Sequence, residues 1–511
     1  MNKKILISSL SILSILVLAS CHGRLVPKGS ITKKEPEKIT FDDFDESKNY
    51  NISFWAKNDS NQVQVKAFND AIVKFNTYYP NVHIEIKNYA DYNDIYRDVL
   101  LNIQTRTTPN VCIAYPDNVA TYSEGDDIVL AVSSVMDDPN YGIGGSKIKF
   151  NAVKREEIYD KFFDEGLIDG YYYTLPFVRS SEALYINKQY VEKLGKSIPD
   201  VPTWDWVWDV ANAACLAKKE ELQNDSSKDR VLYPFIYKSV DNWFISYFKQ
   251  KGWDYTFDNK AKFLNNQTAD FLLDLFNKAH SGPLYDFSID NKPIKTGLYQ
   301  VFSNVSYPGN SFNKWRAVMV VDSTAGATWI GSGATQHDAG SGATGESFDT
   351  VVRPIPQVDA KNPKMISQGP SICVFQKADK GEMLASWLFA QFLLTDDIQL
   401  DYSQTEGYLP VTKRATSSTR FQNYLANPSE YQVKIDATKL VLNNVDNTFV
   451  TSVFNGSINA RNAAGYLIDA VSSPGSKYNN ISSITNGNSS SLYGRVKNKY
   501  NQIGDNKTLF D

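Results

Sequence analysis

Between residues 50 and 116 the chain alternates between two apolar periods, and this alternation constrains the fold more than any other feature. Ile52 and Phe54 alternate with polar neighbours and then meet Trp55, which predicts a short strand running into a loop. Val65, Phe68, Ile72 and Phe75 recur at helical spacing, and Pro80 ends that helix. Val82, Ile84 and Ile86 alternate with His83, Glu85 and Lys87, a second strand with His83 turned to solvent. Ile95, Val99 and Ile103 mark another helix, and Val111-Cys112-Ile113-Ala114 is a short apolar run before Pro116. Strand–helix–strand–helix–strand is the pattern of a mostly parallel α/β sheet covered by helices.

The alternation stops and then returns. Thr203 is placed to cap a helix with Asp205 in its first turn and Val207, Val210, Ala211 and Ala214 on one face. Thr268 is read as the cap of another, carrying Leu272, Leu275 and Phe276. The continuous apolar run from Ala317 to Val321 predicts a buried strand. Val351-Val352 and Ile372-Cys373-Val374-Phe375 look like further strands. Met383, Leu384, Trp387, Leu388 and Phe392 form a helical stripe that is core packing.

Composition removes several classes. The 511 residues carry 53 basic and 57 acidic side chains, a formal charge of −4 that is poorly suited to gripping a phosphate backbone. An apolar fraction of 42% supplies large cores and argues against global disorder. Four cysteines cannot staple a chain this long, and Cys112, Cys215 and Cys373 sit in apolar stretches as small buried hydrophobes. His22, His83, His280 and His337 lie far apart without metal-ligand spacing, so no metal site is expected. Residues 326–345 hold six glycines, but no Gly-Lys-Ser/Thr closes the run. That segment reads as a surface insertion, and no cofactor is expected.

The amino terminus sets the compartment. Residues 1–20 read as an export signal, with Lys3 and Lys4 ahead of the apolar run Ile5 to Ala19. Leu18-Ala19-Ser20-Cys21 resembles a bacterial lipobox, which implies cleavage before Cys21 and its acylation. Several acyl chains together anchor stably where one would be marginal. Residues 21–44 then serve as acylated cysteine and flexible tether. The expected location is the cell membrane, lipid-anchored on its extracytoplasmic face. An uncleaved anchor helix is the competing reading.

Further motifs add up to a family. Tyr173-Thr174-Leu175-Pro176 through Tyr185-Ile186-Asn187-Lys188 resembles the Tyr-Pro-rich crossover and Tyr-Asn-Lys strand end of the family 1 extracellular solute-binding proteins. These serve ABC importers and include maltodextrin- and glycerol-3-phosphate-binding members. Pro202-Thr203-Trp204-Asp205 resembles the family's Thr-Trp-Asp/Glu helix start, and Pro354-Ile355-Pro356 its Pro-rich strand exit. Gly407-Tyr408-Leu409-Pro410 matches its Gly-Tyr-Leu-Pro loop, whereas Gln368-Gly369-Pro370-Ser371 departs from the usual Gly-Gly. The resemblance covers about residues 50–475. It implies an α/β, two-lobe periplasmic-binding-protein-like fold with a hinge and an interlobe cleft. Crossings are expected near Ser180, Ser323 and Gly369, giving an N-terminal lobe of 45–180 plus 324–368 and a C-terminal lobe of 181–323 plus 369–511.

A sugar presents hydroxyls and flat C–H faces, so its site needs hydrogen-bonding groups beside aromatic rings. Trp55 sits where a strand hands over to a loop, the edge at which open α/β sheets bind ligands; a core Trp is the alternative. Ser180 aligns with the family's ligand-contacting crossover, and a hinge Ser without contact is the alternative. Asn242 and Trp243 precede an apolar helix where relatives set an aromatic against the sugar. Ser323 and Thr324 resemble a ligand-contacting strand end, Gly369 permits close backbone approach, and Tyr408 offers a ring and a hydroxyl. Arg461 stands at a distance comparable to the phosphate-gripping Arg of the glycerol-3-phosphate binders, a task that suits a guanidinium; a solvated helix arginine is the alternative. Arg179 is a second candidate charged contact.

These readings point to a non-enzymatic protein that captures a sugar or oligosaccharide outside the membrane and delivers it to ABC permease subunits. Glycerol-3-phosphate or a glycerophosphodiester is the alternative ligand. A glycosidase would need two carboxylates about 5–10 Å apart, and sequence pairs none. A surface adhesion or scaffold lipoprotein with no transported ligand is the alternative of another class. No nucleic acid is expected as a partner.

Overall fold

The computed structural model describes residues 35–58, 62–124, 128–220, 233–281, 285–289, 292–296, 307–334, 347–473, 475–504 and 506–511. The export signal, Cys21, the first part of the tether and most of the Gly-rich segment lie outside the described residues. In chain order the strands that build the two main sheets are β1 (Tyr50–Lys57), β2 (Val82–Tyr89), β3 (Val111–Ala114), β4 (Leu175–Pro176), β5 (Glu182–Asn187), β6 (Tyr233–Tyr237), β7 (Ala317–Ser323), β8 (Thr350–Pro354) and β9 (Ser371–Val374). The helices that matter for the site are α1 (Gln62–Asn76), α2 (Tyr92–Thr105), α3 (Pro116–Tyr122), α4 (Trp204–Glu220), α5 (Val240–Lys251), α6 (Asn266–Ser281), α7 (Lys380–Phe392) and α8 (Ser457–Ser472).

The first sheet has the order β2-β1-β3-β9-β4. Its first three strands are parallel, with β1 between β2 and β3, and β9 closes it antiparallel to both β3 and β4. Strand side chains alternate faces. Phe54, Val111, Ile113, Ile372 and Val374 therefore enter one core with α1 and α7, while Trp55, Cys112, Ala114 and Cys373 enter a second one under α2 and α3. Trp387 of α7 lies at the centre of the first of these cores and donates its Nε1–H to Tyr141 O at 2.7 Å. Truncating such a residue to alanine costs about 3–5 kcal/mol. His83 faces solvent, as its place in the alternation requires.

The second sheet has the order β8-β5-β7-β6. Here β6 and β7 are parallel and β5 runs antiparallel to β7 and β8. All six residues of β5 are buried, so the strand needs a neighbour on each edge. This determines the lobe composition and corrects the sequence expectation. Residues 350–354 fill the free edge of β5, with Val352 opposite Tyr185, and so belong to the second lobe. Residues 371–374 fill the edge of β3, with Cys373 opposite Cys112, and so belong to the first. Ser323 is not a crossing: it caps a 3-10 turn over Thr324–Trp329 that stays with the second lobe's core. The crossings are the antiparallel bridge Ser180–Gln368 and a later return around residues 449–454. Val453 still pairs with Ile168 of the first lobe, and Phe454 enters the core of the second. The helix read as capped by Thr268 is α6, three residues longer at its start, with Asn265 Oδ1 accepting from Thr268 N at 3.0 Å as the cap.

Candidate functional site between the lobes

The carboxyl edges of the parallel strands in both sheets meet. β3 ends at Ala114, and Tyr115 leads into α3 with Pro116 in the first turn, which suits proline because its missing N–H is not needed there. This places Asp117 on the first lobe's rim. Opposite it, β6 ends at Tyr237 and α5 begins at Val240, so Asp241 and Asn242 occupy its first turn. Since β5 and β9 run antiparallel to their neighbours, their beginnings, Glu182 and the Gln368–Gly369 crossing, come to the same edge.

Arg461 of α8 spans the gap. Its Nε donates to Asp117 Oδ2 at 2.8 Å, Nη1 to Asn242 Oδ1 at 2.8 Å and Nη2 to Thr451 Oγ1 at 3.3 Å. Asp241 Oδ2 lies 3.5 Å from Nη1. The side chains of Arg461 and Asp117 are 24% and 15% exposed, so the pair is sheltered without being sealed. Burial alone would make Arg461 a weaker base, but Asp117 and Asp241 outweigh it and hold the guanidinium above its ordinary range.

Asn242 is the hub behind this contact. Its Nδ2 donates to Glu182 Oε1 at 3.1 Å and to Gln368 Oε1 at 2.9 Å. Gln368 Nε2 reaches Ser323 Oγ at 3.3 Å, and Tyr237 OH donates to Glu182 Oε2 at 2.7 Å. Burial pushes the Glu182 carboxyl up to about 8, against the lowering effect of those two donors and with help from Asp241 and Asp322. One polar relay therefore runs from both strands of the hinge, through Asn242 and Arg461, to Asp117 of the other lobe. Tyrosines flank it. Tyr115, whose hydroxyl burial pushes up to about 12, packs edge-on to Tyr92 at 4.9 Å. Tyr255 stacks on Phe263 at 5.4 Å, and its electrostatic neighbours are Arg461, Asp117 and Asp241. Two buried polar atoms of this group have no hydrogen-bond partner among the described residues: Asp117 Oδ1 and Tyr255 OH.

Of the expected ligand contacts, Ser180, Asn242, Ser323, Thr324, Gly369 and Arg461 come together at this edge, and the others do not. Ser180 is buried and bonded to Gln368 O from both its N (2.7 Å) and its Oγ (3.3 Å), which makes it a hinge tie. Gly369 has φ +147°, and a Cβ there would meet Val178 O at 2.4 Å, so the close approach it permits is between the two crossings. Thr324 is fully buried and ties to Ser181 through Thr324 N (2.8 Å) and Oγ1 (3.1 Å). Trp55 is 8% exposed, packed on Tyr89 at 5.5 Å beneath the Lys87 ammonium. Trp243 is 2% exposed and packs at 5.2 Å from Trp204 in the second lobe's core. Tyr408 packs 6.0 Å from Tyr402, against the first lobe's core. Arg179 is fully enclosed by Glu165 and by its own lobe's carbonyls. Asp117, Asp241, Glu182, Gln368, Tyr115 and Tyr255 were not foreseen. The Tyr-Pro-Asp step directly after a buried strand was the signal available for two of them.

The model of one family, described as "Bacterial extracellular solute-binding protein", matches residues 70–429. The chain belongs to that family. No curated protein matches it by sequence. Solved structures with the same two-lobe fold include UgpB from Mycobacterium tuberculosis in complex with glycerophosphocholine, at 16% identity and a TM-score of 0.62, covering 87% of this chain and 97% of that one. The substrate-binding protein Lmo0181 from Listeria monocytogenes, in complex with cycloalternan, is 14% identical with a TM-score of 0.60, covering 88% and 98%. Maltose-bound MalE3 of T. maritima is 14% identical with a TM-score of 0.58, covering 88% and 99%. As a solute-binding family member the protein works outside the cytoplasm, and no helix among the described residues is long and apolar enough to cross a membrane.

Proposed function

We propose that the protein captures a sugar or oligosaccharide outside the membrane and delivers it to the permease subunits of an ABC importer, held at the surface by a lipid on Cys21. The observation that carries this reading is the interlobe group of Asp117, Arg461 and Asn242, flanked by Tyr115 and Tyr255, at the facing carboxyl edges of two sheets. Hydrogen-bonding groups beside aromatic rings are what a hydroxylated ring requires. Neighbours of the same fold bind maltose and cycloalternan, which supports the same class. Domain closure around ligand is the working motion of such two-lobe proteins.

Thermal unfolding with a panel of mono- and oligosaccharides tests the reading: at least one member raises the midpoint saturably. A silent panel contradicts it and favours a surface scaffold. Mass spectrometry of membrane-extracted protein tests the anchor, with acyl mass on Cys21 expected and loss of membrane association in Cys21→Ser. A second reading, glycerol-3-phosphate or a glycerophosphodiester, is favoured by Arg461 and by the glycerophosphocholine-bound neighbour.

A further inference from the structure

The two ligand classes differ in charge, and the group around Arg461 discriminates between them. Its three donating nitrogens are already in use, by Asp117, Asn242 and Thr451. Two carboxylates, Asp117 and Asp241, face the single guanidinium at 2.8 and 3.5 Å. A guanidinium carries five N–H groups, of which these bonds use three; a phosphate gripping the remaining ones would have to approach both carboxylates, with like-charge repulsion strengthened by the sheltered surroundings. Lys238, beside the same strand edge, is itself paired with Asp322 at 3.1 Å.

What the group lacks points the same way. Asp117 Oδ1 is buried and has no hydrogen-bond partner among the described residues, and an ionised carboxylate oxygen can only accept. The phosphoryl oxygens of a phosphodiester have no hydrogen to give it and inorganic phosphate near neutral pH has one or two, whereas every sugar hydroxyl carries one. The Tyr255 hydroxyl, also without a partner among the described residues, can donate or accept. An uncharged polyol satisfies both atoms.

We infer that Asp117 sets the charge class of the solute: by occupying Arg461 from the opposite lobe, it closes the cleft to phosphate and leaves it to uncharged, hydroxyl-rich molecules. This rests on the solute-binding reading above and makes Asp117 a specificity-determining residue. Removing its charge leaves Asp241 as the one carboxylate facing Arg461 and lets the same recess accept an anion.

The test is thermal unfolding of the full chain in inorganic phosphate against chloride of equal ionic strength. Wild type shows no phosphate-specific rise. Asp117→Asn, which keeps shape and removes charge, shows a saturable rise with at least about tenfold tighter phosphate affinity, as expected when a charge-assisted pair becomes available. Adding Arg461→Gln to that variant abolishes the gain. Asp117→Ser serves if the asparagine variant does not fold. Phosphate stabilisation of wild type that Arg461→Gln removes overturns the inference, as does an Asp117→Asn protein no more responsive than wild type. A silent sugar panel beside an intact phosphate contrast supports the charge assignment and counts against the sugar reading alone.

Discussion

Two arginine–carboxylate pairs lie near the hinge, and they do different work. Arg179 and Glu165, 2.7 Å apart, belong to one lobe. Arg179 is fully buried and gives its remaining donors to Val178 O, Pro370 O, Phe162 O and Ser371 Oγ, fastening the two crossings to each other. Arg461 and Asp117, 2.8 Å apart, come from opposite lobes and keep some contact with water. An arginine saturated by its own lobe can only hold structure. One shared between lobes can exchange its partners when the lobes move. Burial and the ownership of the acceptors, more than charge, separate the pair that fastens one lobe from the pair that joins the two.

The largest expected effect tests that separation. Arg179→Met leaves Glu165 buried without its partner, and breaking a buried pair costs about 3–5 kcal/mol. Urea unfolding should register the full loss, whereas Arg461→Met, which leaves Asp117 and Asp241 partly in reach of water, should cost less, about 1–3 kcal/mol. Equal losses would erase the distinction. Asn242→Ala comes next: it strips acceptor or donor from Arg461, Glu182 and Gln368 at once, and stranding such groups costs about 1–3 kcal/mol. Unlike Arg179→Met, it should also weaken solute binding. A further effect is a pH slope. Glu182 is raised from 4.5 to about 8, chiefly by burial. The folded state therefore holds a proton that the unfolded state gives up, so this group makes stability fall as pH rises through that window. Glu182→Gln should flatten the fall, and an unchanged slope would mean that the carboxyl is not enclosed as described.

The sheets were legible because strand and helix periods are local. The runs at 52–54, 82–86, 111–114 and 317–321 all lie in strands. Their partners were not legible. Nothing within residues 350–354 or 371–374 says which exposed edge each will fill, and that choice decides the lobe boundaries. The site was half legible for a helical reason. Asn242 and Trp243 are neighbours on α5, and successive residues point about 100° apart. Asn242 reaches the gap, so Trp243 turns into the core with Trp204 and Phe271. The residue valued for its ring was structural, and the amide beside it is the hub. Gly407 shows the same limit: its loop matched a family motif, yet the reason for the glycine lies in Thr324 O, 2.0 Å from where a Cβ would sit.

Calorimetric titration with the sugar that raises the unfolding midpoint most tests the central claim most directly, comparing wild type, Asn242→Ala and Trp243→Phe. The account predicts saturable binding by wild type, at least about a tenfold loss in Asn242→Ala, equivalent to 1.4 kcal/mol, and retained affinity in Trp243→Phe. Undiminished binding by Asn242→Ala, or a loss confined to Trp243→Phe, would contradict a solute site built on the Asn242–Arg461–Asp117 relay.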